Sequence, residues 1–418
     1  MKVNLAYGQG QLAVELPDER TTVIQPSHIP GLAEERAAVL AALEKPIGAP
    51  SLRDLIKPHT NICVLFTDIT RATPNDRIIP WLLEYLGRRE NVTLINALGT
   101  HRPNTRTELD KLLTPEVVRN YTVLNHEPEN PAELTQVGVT RDGSPALLNR
   151  RALAADLRIV TGFIEPHFFA GFSGGPKGIM PGVAGLKTVM SNHGARNIGD
   201  PNSSFGITEG NPIWEEMRDI ALRAGPSFLL NVALNDQRQI TGVFAGDLLA
   251  AHKVGCEFVR QSAMQKFAAP FDIVVTTNSG YPLDQSLYQG VKGMSAGARV
   301  IKPGGALILA CECREGVPAN SSLDRILRSA ASPEEILPLL ASPGYLQPEQ
   351  WQAQIQALIQ RKANVLLYSS LPDHVVRAAH LTPCHDISAC VGELLAEHRN
   401  GARVAVLPQG PLTIPYLE

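Results

Sequence analysis

Eight short runs of almost unbroken apolar residues punctuate the chain: NICVLFTD (61–68), VTLINALG (92–99), DLRIVTGFI (156–164), FLLNVALN (228–235), FDIVVTTN (271–278), GGALILAC (304–311), NVLLYSS (364–370) and ARVAVLP (402–408). A strand with one solvated face alternates apolar and polar residues. Continuous apolarity over five to eight positions marks a strand covered on both faces, the condition of a parallel sheet between helices. Helical periodicity lies between the runs, in NDRIIPWLLEYLGRR, PIWEEMRDIALRA, SPEEILPLL and PEQWQAQIQALIQRK. The chain is therefore expected to be α/β, with two domains built on mainly parallel sheets. FAAPFD (267–272) is the expected junction. It separates an N-terminal domain, 1–268, completed by 400–418, from a C-terminal domain, 269–399. The opening VNLAYGQGQLAVELP alternates and reads as a hairpin.

Composition narrows the function classes. A net charge of −3 gives no footprint for nucleic acid or an anionic membrane surface. No apolar run approaches the roughly 20 residues of a membrane span, and the first residues lack the pattern of a signal peptide. A cytoplasmic enzyme with a small-molecule substrate is expected. The six cysteines form no CxxC pair, and no disulfide is expected; Cys63 and Cys311, inside apolar runs, read as buried small hydrophobes.

Two familiar motifs fail on context. GQGQLA (8–13) fits GxGxxA, but alternation and then Pro17 follow it, where a dinucleotide site needs a helix. GFSGG (171–175) fits GxSxG, but the strand ends some residues earlier and GGPKGIMPG cannot be the helix that a nucleophile elbow requires. Consecutive glycines there can still turn main-chain N–H groups toward an anion.

The polar signatures fall at strand ends, where open α/β sheets bind ligands. Asp68 and Arg71 follow one run, His101 a second, His167 a third, and Lys177 and His193 lie in the Gly-rich segment after it. Two imidazoles at neighbouring strand ends suit a racemase or epimerase, in which one base works on each face of a carbon. Arg71 and Lys292 offer cations for a carboxylate or phosphate. A lysine in an apolar, Gly-rich setting can serve as a nucleophile or attachment point. A zinc-dependent hydrolase or lyase would need a third close ligand, and the His167 to His193 spacing supplies no HxxxH-like pair.

DITRATP (68–74), ALGTHRP (97–103), TGFIEPHFFAGFSGGPKGIMPG (161–182), the dipeptide NH (192–193) and GYPLDQSLYQGVKG (280–293) together resemble the lactate racemase family along nearly the whole chain. The resemblance implies two α/β domains with the active site between them. It implies a nickel-pincer nucleotide, a pyridinium mononucleotide whose carbon and two sulfurs clamp nickel, made by dedicated cofactor-synthesis proteins. Lys177 would join one arm as a thioamide, His193 would ligate nickel, and Asp68, Ile69, Thr70 and Arg71 would contact the nucleotide. His101 and His167 would be the acid/base pair. Gln289 and Lys292, assisted by Arg71, would hold the substrate carboxylate. The implied reaction interconverts D- and L-2-hydroxy acids through a planar 2-oxo acid, with the C2 hydride moving to the cofactor and back. The motifs leave the side-chain pocket open. Tyr288, Trp351 and Phe168 are candidates to shape it, and no extra cation marks a second carboxylate, which favours lactate or a short homologue over malate-like, aromatic or sugar acids.

Overall fold

The computed structural model describes residues 1–87, 90–317, 321–342, 344–397 and 401–417. The chain folds as two compact units. One comprises His28–His193 and Asn202–Ser262; the other comprises Met1–Ser27, Gly194–Pro201 and Ala263–Glu418.

The first unit is built on β1 (Ile62–Phe66), β2 (Val92–Asn96), β3 (Thr122–Asn125), β4 (Leu157–Phe163), β5 (Ser227–Leu234) and β6 (Ile240–Asp247). Their order across the sheet is β6-β5-β4-β1-β2-β3. All neighbours run parallel except β5 and β6. Every residue of β1 and β4 is buried, as the continuous apolar runs require. α1 (Asn75–Leu86) follows β1 and buries Ile78, Ile79, Leu82, Leu83 and Leu86 on the sheet. α2 (Arg106–Leu113) follows β2 and opens with a full capping box, Thr105 and Glu108. Further helices of this unit include α3 (Leu186–Asn192), α4 (Pro212–Leu222) and α5 (Ala250–Ala263).

The second unit holds β7 (Phe271–Thr277), β8 (Ile301–Ala310), β9 (Asn364–Tyr368), β10 (Thr382–Pro383) and β11 (Val404–Leu407). With a short strand at Thr21–Val23 they form a parallel sheet in the order β10-β9-β8-β7-β11-(21–23). α6 (Leu287–Ala298) and α7 (Gln350–Lys362) pack in this unit. The opening hairpin forms as expected, Lys2–Tyr7 against Gly10–Glu15, and buries Val3, Leu5, Val14 and Leu16 beside Ile273, Val275 and Val404.

All eight expected strands are present, but the domain limits differ. The junction expected at 268/269 lies near the observed one at 262/263. Residues 1–27, however, belong to the second unit, and the last segment completes that unit rather than the first. The reason is edge pairing: β11 runs parallel to β7 on one side and to Thr21–Val23 on the other. The 399/400 limit lies outside the described residues. Among the described residues no helix is long and apolar enough to cross a membrane.

Candidate active site

β4, β1 and β2 are adjacent, central and parallel, so the loops leaving their C-terminal ends share one edge of the sheet. They carry His167, Asp68 to Arg71, and His101.

Asp68 is buried and ends in a dense set of bonds. Its Oδ2 lies 2.7 Å from His101 Nδ1, and its Oδ1 accepts from the Thr70 N–H at 2.7 Å and from the Thr70 hydroxyl. Burial alone would raise its pKa. The His101 bond and charge, the Arg71 guanidinium and the Thr70 hydroxyl outweigh that, and the carboxyl is held well below the usual range. An ionised Asp68 makes His101 Nδ1 the donor, which leaves a lone pair on Nε2. The His101 side chain remains 31% exposed, within reach of a ligand. Asn104 ties the two loops together: its Oδ1 accepts from the Ile69 N–H at 3.2 Å and from Asn96 Nδ2 at 2.9 Å. The Ile69 side chain is exposed, while its main-chain N–H is held by Asn104.

His167 is buried in a two-residue strand, Pro166–His167, paired with Gly171–Phe172. The tight return requires Gly171, at φ 75°, where a Cβ would meet the Ile207 carbonyl oxygen at 2.3 Å. The Ala170 N–H donates to His167 Nδ1 at 3.2 Å. The neutral ring therefore carries its proton on Nε2, the tautomer opposite to that of His101.

Lys177 sits in a single 3-10 turn, Gly175–Gly178. Gly174 and Gly175 both have positive φ, 76° and 55°, and lie against Asn231 and His252. Asn231 Oδ1 accepts from the Gly175 N–H at 2.8 Å, and His252 Nε2 donates to the Ser173 carbonyl at 2.9 Å. Ser173 itself is structural: its hydroxyl donates to the Phe163 carbonyl and accepts from the Glu165 N–H, both at 3.0 Å. The Lys177 ammonium stands 5.9 Å from the Phe169 ring centre, and the same ring lies 4.9 Å from His193 and 4.5 Å from His167. Phe169 thus gathers three of the expected residues around one aromatic side chain.

His193 caps the C-terminus of α3 and is buried. Burial first, and then the nearby Lys177 charge, push its pKa down to about 3. It is a neutral imidazole, the form that ligates a metal. Its Nδ1 lies 3.0 Å from Asn192 Oδ1.

Gln289 and Lys292 lie in the second unit on α6, three residues apart and so on one helix face. In that unit Trp351 Nε1 donates to the Tyr288 hydroxyl at 3.3 Å, and Gln352 donates to the Tyr288 carbonyl. Phe168, in the first unit, packs against Phe169 and Phe205.

Asn104, Glu216, Asn231 and His252 escaped the sequence reading, and Asn192 entered it only within the NH dipeptide, without a role of its own. Asn231 did leave a trace, a lone amide inside the apolar run FLLNVAL, where only a buried hydrogen-bonding task retains a polar side chain. His252 left none among eleven histidines.

Comparison with known proteins covers nearly the whole chain. A family model described as "Lactate racemase N-terminal domain" matches residues 7–206, and one described as "Lactate racemase C-terminal domain" matches 266–414. The chain is 35% identical to the lactate racemase of Thermoanaerobacterium thermosaccharolyticum, over 98% of this chain and 97% of that one. It is 34% identical to the lactate racemase of Lactiplantibacillus plantarum, over 98% of each. The solved apoprotein of the Thermoanaerobacterium enzyme superposes with a TM-score of 0.93 at 35% identity, covering 99% of this chain and 100% of that one. A Thermotoga maritima protein shares the fold at 20% identity and a TM-score of 0.68, over 92% of this chain and 98% of its own. With both halves matched and relatives aligned nearly end to end, this racemase-type isomerase belongs to the lactate racemase family.

Proposed function

We propose that the chain interconverts D- and L-lactate, or a close short-chain 2-hydroxy acid, with a nickel-pincer nucleotide held by Lys177 and His193. The relatives' names carry the choice of lactate. The donor set supports the cofactor. Among the described residues no group of three or more His, Cys, Asp or Glu side chains could hold a metal ion, so a zinc site made by protein alone lacks its ligands. A metal that arrives with three donors on an organic group needs one more, and His193 is neutral and buried with an amine nearby. When bound, the nucleotide supplies the acceptor for the substrate's C2 hydride.

The reading rests above all on the 2.7 Å contact of Asp68 with His101. His101 Nε2 takes the substrate's hydroxyl proton, and Asp68 stabilises the imidazolium that forms, as a carboxylate does for any histidine base. His167 serves as the second acid/base, for the opposite face of the planar carbon. Arg71, Gln289 and Lys292 take the substrate carboxylate; family resemblance assigns them that role, and two cations and an amide suit it. Asp68, Ile69, Thr70 and Arg71 contact the nucleotide.

Protein from a host that makes the cofactor should carry a nickel-bearing adduct that peptide mapping places on Lys177, and a chiral assay should show lactate racemisation. His101→Ala and His167→Ala should each lower kcat by about 10²–10⁴-fold, the usual worth of one acid/base group. Full racemisation by both variants would refute the two-base mechanism. An unmodified Lys177 in active protein would refute the tether, and turnover only of larger 2-hydroxy acids would replace the substrate.

A further inference from the structure

Behind His193 lies a chain of buried polar groups that the reaction does not itself require. Glu216, on α4, is 3% exposed. Its Oε2 accepts from Asn192 Nδ2 at 2.8 Å, and its Oε1 accepts from the Arg141 main-chain N–H. Asn192 is fully buried, and its Nδ2 donates a second time, to the Ile213 carbonyl at 3.1 Å.

These two acceptors fix which way the Asn192 amide faces. Turned over, its oxygen would stand against a carboxylate and a carbonyl, and two buried N–H groups would lose their partners, at about 1–3 kcal/mol each. Asn192 must therefore present Oδ1, and only Oδ1, to His193. An amide oxygen can only accept, so His193 Nδ1 must carry the proton and Nε2 the lone pair.

We infer that Glu216, acting through Asn192, sets the tautomer of His193 and so selects Nε2 as its metal-binding atom. Glu216 and Asn192 are positioning residues. The inference rests on the proposed role of His193 as ligand, but the tautomer itself can be read without any metal. Outer partners of this kind commonly change metal affinity by 10–100-fold when removed.

The test uses the full chain with ¹⁵N-labelled histidine and long-range ¹H–¹⁵N NMR, with the His193 signals assigned by their loss in His193→Gln. In cofactor-free protein His193 should show a protonated Nδ1 and an unprotonated Nε2. A proton on Nε2 would overturn the inference before any variant is made. Glu216→Gln keeps the side-chain volume but supplies one acceptor where two are needed. It should mix the two tautomers and, in loaded protein, speed nickel loss to a chelator by about tenfold or more. A Glu216→Gln protein with the wild-type tautomer would also overturn it. His193→Ala separates the two readings. If that variant keeps nickel as well as wild type, the ligand assignment fails while the tautomer result stands. If it loses nickel while Glu216→Gln keeps both tautomer and nickel, the relay alone fails.

Discussion

His252 lies under the loop that carries Lys177, and its burial has a measurable cost in acid. Loss of solvent pushes its pKa down to about 4, with the Ser173 carbonyl bond opposing the shift only in part. In the unfolded chain the value returns to about 6.5. Between those limits the unfolded state binds the extra proton, so stability is fully present above pH 6.5 and falls as pH drops toward 4, by about 3 kcal/mol in the limit. His126 and His193, both buried and shifted downward, add losses of the same sign. Melting temperatures recorded from pH 7 to pH 4 should fall steeply, and His252→Gln should make that slope shallower without moving the plateau above pH 6.5. An unchanged slope would place the acid sensitivity elsewhere. At this scale the sequence pointed to the residues proposed to meet the ligand but not to those behind them. His101, His167, Lys177 and His193 stand in loops whose composition has no packing explanation. Asn192, Glu216 and His252 look like any helical polar residue until burial shows what they hold.

Strands were legible as elements and several helices were not, for a physical reason visible in α6. Its sequence, LYQGVKGMSAGA, carries three glycines and lacks an obvious helical stripe. Those glycines form the packing face. A Cβ at Gly290 would meet Cys311 Sγ at 3.1 Å, one at Gly293 the Thr277 carbonyl oxygen at 2.2 Å, and one at Gly297 Leu307 and Val274 at 3.1 Å. The helix trades propensity for a close approach to β7 and β8, a bargain that only tertiary structure reveals. Gly293→Ala should therefore destabilise by about 1–3 kcal/mol, since the helix must lift from the strand. It should also weaken substrate binding if Gln289 and Lys292 act from this helix. Gly392→Ala is the opposite case: the site is helical, exposed and open for 4 Å around. It should gain about 0.5–1 kcal/mol, the ordinary difference between the two residues in a helix. Urea titrations of the pair would show opposite shifts, and like shifts would remove the packing explanation. The edge strands β3 and β6 were missed for another reason: each pairs with another strand of the sheet on one side only, so neither had to be a continuous apolar run.

For the whole molecule, the two-unit plan was legible but its wiring was not, because pairing between strands far apart in sequence leaves no local signal. The hairpin and Thr21–Val23 are sequence neighbours of the first unit and structural parts of the second. A chain beginning at residue 24 would lose Val3, Leu5, Val14 and Leu16 from the core around β7 and β11. Each such side chain contributes about 1.5–3 kcal/mol, and the sum rivals the 5–15 kcal/mol margin of a typical domain. That truncation should abolish the cooperative melting of the second unit and expose apolar surface to ANS; an unchanged melt would show the hairpin to be an ornament. The same wiring sets an order of events on the ribosome. The first unit has all its residues once position 262 has been made, whereas the opening hairpin completes its packing only when β11 at Val404–Leu407 and the Pro408 carbonyl that Ala6 N–H donates to are made. From the end of the hairpin at Glu15 to Leu407, at translation speeds of 5–20 residues per second, that wait is roughly 20–80 s. Throughout it, four apolar side chains meant for a core that is not yet complete stay exposed on the nascent chain, a natural hold for a chaperone and a reason for a heterologous host to lose yield.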